Sequence, residues 1–133
     1  MKNHDQTVAH DIARLVPREP FGSDLRALSP LNMRDDTFED SDLMCAALEE
    51  MSRHLKWLDM DYQMSQFDRL EVRARSVVAL ADQIGLRQVG QVAADVIYCL
   101  DGPDDIALAA TLSRLMRLMT QALDHAAGPM TAF

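Results

Sequence analysis

From residue 41 onward, apolar positions recur in steps of three and four, and those steps define four helices. In SDLMCAALEEMSRHLKWLDMDY (41–62), Met44, Leu48, Met51, Leu55, Leu58 and Tyr62 make one stripe, the pattern of a helix that buries a single face. No Pro or Gly occurs between residue 41 and Gly85. Asp40 or Ser41 is expected to cap the first helix, and a break is expected at 61–65, with Ser65 as the next cap and Asp68 in the first turn after it. QFDRLEVRARSVVALADQI (66–84) continues the period through Phe67, Leu70, Ala74, Val77, Ala81 and Ile84. Gly85 then supplies a left-handed terminator. LRQVGQVAADVIYCL (86–100) turns Val89, Val92, Val96 and Leu100 inward, and Gly90 is expected to let a neighbouring helix approach closely. DGPDD (101–105) is a turn whose acids cap the last helix. That helix carries Leu108, Leu112, Leu115, Met119 and Ala122, with Gly128 and Pro129 expected to stop it.

Four helices joined by short connections can bury their stripes only against one another, so the sequence predicts an all-α fold: an antiparallel four-helix bundle over 41–126. Steps of three and four favour near-parallel packing over steep crossings. Residues 1–40 read as an N-terminal arm, loop-rich and broken by Pro17, Pro20 and Pro30. Within it Val8, Ile12, Leu15 and Val16 have the spacing of a short helix over 5–16. Residues 127–133 form a C-terminal tail.

Composition narrows the function classes. At 133 residues, 48% of them hydrophobic, the chain suits one globular domain. Its net charge of −8 argues against nucleic acid, since phosphate contacts need a basic face, and against an anionic membrane surface for the same reason. The N-terminus MKNHDQTVAHD has no apolar signal region, and no stretch is long enough to span a bilayer. Cys45 and Cys99 have no partner spacing, which fits two free thiols in a reducing cytoplasm, although the fold could still bring them together.

Candidate chemistry is sparse. A bundle di-metal site needs two Glu-x-x-His pairs and two more inward Glu. Here His4 and His10 are six apart, Glu50 and His54 share a helix face as a solvated pair, and Ala122 stands three before His125. Neither a metal nor another cofactor is expected. No serine lies in a Gly-x-Ser-x-Gly elbow, neither cysteine stands beside a basic cluster, and no glycine loop could cradle phosphate. Trp57 with Lys56 and Tyr62 could form a surface patch, but packing at a bundle edge is the preferred reading. The methionines Met44, Met51, Met60, Met64, Met116 and Met119 read as core filler ahead of an adaptable groove.

The segment from about Ser65 to Ala126, and RARSVVALADQIG (73–85) above all, resembles the histidine-containing phosphotransfer (HPt) domain family. That family is a four-helix bundle that relays phosphoryl groups to and from receiver-domain aspartates. Its signature helix carries a His, a Lys three residues on, a Gly directly after, and a closing Gly about ten residues past the His. Gly85 matches the closing glycine and LRQVGQVAADV the following helix. The histidine position falls on Arg75, the lysine on Val78 and the glycine on Ala79.

Those departures remove the chemistry. An imidazole offers a lone pair to phosphorus, whereas an arginine stays protonated and offers only donors. The resemblance therefore implies a non-enzymatic regulatory or interaction module. Its docking face would comprise Glu71, Arg75, Val78, Ala79 and Asp82, and its protein partner would be a receiver domain or a histidine kinase. The competing reading of Arg75 is a solvated cation paired with Glu71 or Asp82. A structural helical homodimer without a signalling role is the alternative for the whole chain.

Overall fold

A computed structural model describes residues 38–131, with side-chain surroundings for 42–128. The expected helix at 5–16, most of the arm, and His4 and His10 lie outside the described residues. Four helices follow in order: α1 (Phe38–Gln63), α2 (Phe67–Ile84), α3 (Arg87–Leu100) and α4 (Asp105–Thr131). There is no strand among the described residues. Each helix packs on the next, and α4 closes the ring against α1. With connections of two to four residues every helix must reverse on its predecessor, and the result is the expected four-helix bundle.

The core follows the stripes. Met51, Leu58, Leu70, Val77, Val89, Val92, Val96, Leu115 and Met119 are fully or almost fully buried. Three leucines outside the predicted stripes join them: Leu80 and Leu118, each one position off, and Leu86 in the α2–α3 link. Phe67 departs from expectation. It sits exposed at the start of α2, where its ring meets Tyr62 edge-on, with centroids 6.3 Å apart. The first turn of a helix lies at the bundle's end, where no layer remains above it to cover the ring.

The helix ends show why the chain turns where it does. At Gly85 φ is 81°, and the Leu86 N–H donates back to the Ala81 carbonyl at 2.8 Å, which closes α2 as the glycine predicts. The α1 end uses the same motif without a glycine. Ser65 has φ 56°, its N–H reaches Tyr62 O, and the Gln66 N–H reaches Asp61 O at 2.8 Å. Ser65 is thus the left-handed terminator of α1. The N-cap of α2 is Gln66, which makes no side-chain capping bond. The acid cap of the last helix does form: Asp104 Oδ1 accepts from the Ala107 N–H at 2.9 Å.

The outer limits differ from the sequence reading. α1 begins at Phe38, so Asp40 and Ser41 fall inside it, and α4 runs past Gly128 and Pro129 to Thr131. A proline forfeits one hydrogen bond, but its fixed φ is already helical. Gly90 does not mark a tight approach, because a methyl there would stand 3.5 Å from Ala81 Cβ, an ordinary contact. At 1.5 Å per residue α1 and α4 are each about 40 Å long and α2 about 27 Å. The long pair therefore overruns the α2–α3 end by roughly 12 Å.

Candidate functional site

The five residues predicted as a docking face lie along one side of α2. Arg75 is 62% exposed in its side chain, and its Nε and Nη2 donate to Glu71 Oε2 at 3.0 and 2.8 Å. This is the solvated pair that the competing reading named. Ala79 and Asp82 are exposed, and Val78 is half-buried against the core. The strip is shallow, and its polar groups sit on a regular helix anchored by Ala74, Val77 and Ala81 beneath. No histidine stands on it, because α2 contains none.

The other side of α2, facing α1, holds a feature that the sequence did not reveal. Arg73 Nε donates to Asp61 Oδ2, and the Asp61 carboxylate is buried. An acid in the last turn of a helix opposes the dipole, and burial adds a desolvation cost. Arg73, twelve residues on, offsets both. Its guanidinium carbon also lies 5.9 Å from the Trp57 ring centroid, and Lys56 Nζ lies 5.6 Å from it. Trp57 thus has two cations within 6 Å of its ring centroid and remains partly exposed, while Tyr62 turns inward to the core. Met60 and Met64, read as core filler, are exposed beside it.

Two depressions run along this edge and share Arg69 and Arg73. One, of about 350 Å³, is lined by Trp57, Met60 and Met64. The other, of about 390 Å³, is lined by His54, Asp68 and Val72.

No family model, curated protein or solved structure matches the chain.

The remaining candidates are placed as follows. His54 Nε2 lies 3.5 Å from Glu50 Oε2, so the two approach as expected, but the imidazole is not solvated. Both its nitrogens are buried without a hydrogen-bond partner. His125 is exposed on α4. Among the described residues no group of three His, Cys, Asp or Glu is placed to hold a metal. Both cysteines are free: Cys45 is exposed on α1, and Cys99 Sγ lies 3.7 Å from Thr111 Oγ1. Among the described residues no helix is long and apolar enough to cross a membrane.

One sequence signal could have exposed the trough. Asp59 and Asp61 sit in the last turns of α1, which has no basic residue in its final turn, while Arg69, Arg73 and Arg75 follow in α2. Acids at the wrong pole of a helix call for cations from a neighbour.

Proposed function

We propose that this bundle is a non-catalytic, HPt-like interaction module of the cytoplasm. It binds a two-component signalling partner, a receiver domain or a histidine kinase, and accepts no phosphate. The observation that supports this most is Arg75 itself. It stands in mid-α2, largely exposed, at the position where the HPt-like pattern would carry its imidazole.

A guanidinium has no free lone pair for attack on phosphorus, but its planar fork grips carboxylates. Glu71 holds that fork in place without locking it. An exposed pair at this spacing contributes about 0.5 kcal/mol or less, so an acidic group on a partner replaces Glu71 at little cost. Exposed Ala79 and half-buried Val78 leave a low surface beside it for a partner's backbone. A second reading, a structural helical homodimer with no signalling role, draws on the exposed trough residues instead.

Binding of the full chain to receiver domains and histidine kinases of its source cell tests the first reading. Arg75→Glu should weaken the complex at least tenfold, about 1.4 kcal/mol, with helicity unchanged. Equal binding by that variant, or phosphoryl label on His54 or His125, overturns it.

A further inference from the structure

We infer that the α1–α2 edge, centred on Trp57, is the surface on which a second copy of this chain docks. The patch borders the Arg75 strip, since Val72 and Asp68 stand three and seven residues before Arg75 on α2, but it is centred on the side that faces α1. Three observations carry it.

The first is area. Trp57, Met60, Met64 and Val72 are 41, 49, 62 and 64% exposed, and the shared Arg69 and Arg73 join them into one face. At roughly 200 Å² for a large side chain, they leave about 400 Å² of apolar surface open. A standard interface buries about 800 Å² per partner, and in homodimers about 65% of it is non-polar, or roughly 500 Å². The patch therefore supplies most of the apolar area that one side of a dimer needs.

The second is charge. The chain carries −8, so two copies repel wherever acids dominate. The trough is lined by Asp61 and Asp68 against Arg69 and Arg73, and Lys56 beside Trp57 leaves the patch one unit positive. Two copies can meet there without the acid-on-acid repulsion that a net charge of −8 imposes elsewhere.

The third is self-complementarity. A two-fold interface brings one patch against itself, so the patch must carry both signs. Asp61 and Arg73 neutralise each other internally. Asp68 and Arg69 are exposed, and Arg69 makes no ion pair among the described residues. In a two-fold pairing Arg69 of one copy faces Asp68 of the other, while Trp57, with Lys56 and Arg73 beside it, supplies the rigid aromatic centre typical of interface hot spots.

Sedimentation velocity of the full chain from 1 to 100 µM provides the test, with emission of the single Trp57 followed in parallel. The expected result is reversible conversion of a 14.9 kDa species to its dimer, with a blue shift as Trp57 leaves water. Trp57→Glu with Met64→Glu should raise the dissociation constant at least tenfold with the helical circular dichroism unchanged. Arg69→Glu alone should also weaken the dimer, and adding Asp68→Lys should restore it. A monomer at 100 µM overturns the inference. So does a dimer indifferent to the Trp57 and Met64 changes, or a trough that serves only a different protein while this chain stays monomeric.

Discussion

Replacing Arg73 by Met strands the Asp61 carboxylate, and the cost can be worked from the structure. Asp61 keeps 5% of its side-chain surface and Arg73 keeps 23%, so water reaches the pair from the arginine side. Breaking a fully buried pair costs about 3–5 kcal/mol. The open side places this one lower, at about 2–3 kcal/mol. Losing the guanidinium from the Trp57 face adds about 0.5 kcal/mol, while the methionine stem keeps most of the apolar cover. The total is about 3 kcal/mol. Asp61→Leu should cost less, about 1 kcal/mol, because the stranded Arg73 can turn into solvent and an acid leaves the unfavourable pole of α1. The double variant should recover most of the loss, giving a coupling of at least about 2 kcal/mol. Urea unfolding followed by circular dichroism at 222 nm measures all four proteins, and constant slopes would show that the denatured states are comparable. Arg73→Met within about 0.5 kcal/mol of the parent would refute the reasoning.

The same assay checks four further substitutions. Gly85→Ala places a side chain at φ 81° and should cost about 1 kcal/mol. Ser65→Gly removes that strain at φ 56° against a gain in unfolded-chain entropy, for a net stabilisation of about 0.5 kcal/mol; destabilisation would contradict the left-handed assignment. Gly90→Ala should stabilise by about 0.5–1 kcal/mol, because the methyl fits beside Ala81 and alanine favours the helix interior. Asp104→Ala removes the cap on the Ala107 N–H and should cost about 1 kcal/mol; no change would show that the cap contributes nothing.

The helices were legible because burial repeats with the helical period, so Met51, Leu70, Val92 and Leu115 declare themselves on stripes. Leu86 was not, because it is buried by the turn that Gly85 makes and not by any periodicity. The break after α1 was placed correctly, but Ser65 was misread as the cap of α2 because a left-handed serine has no signature distinct from a capping one. The Arg75 strip could be outlined from helix geometry alone, since its members share one helix. The trough could only be hinted at, by the acids in the last turns of α1. Pairing Asp61 with Arg73 and placing Trp57 beside two cations depend on how α1 and α2 align, which no single-helix pattern contains.

The claim on which the function rests is that the Arg75 surface docks without relaying. Its most direct measurement mixes the full chain with a radiolabelled phospho-receiver and a phosphorylated histidine kinase, then resolves the proteins under conditions that preserve phosphoramidates. The expected result is a complex that Arg75→Glu weakens, with all label remaining on the receiver and the kinase. Acid-labile label appearing on this chain would contradict it.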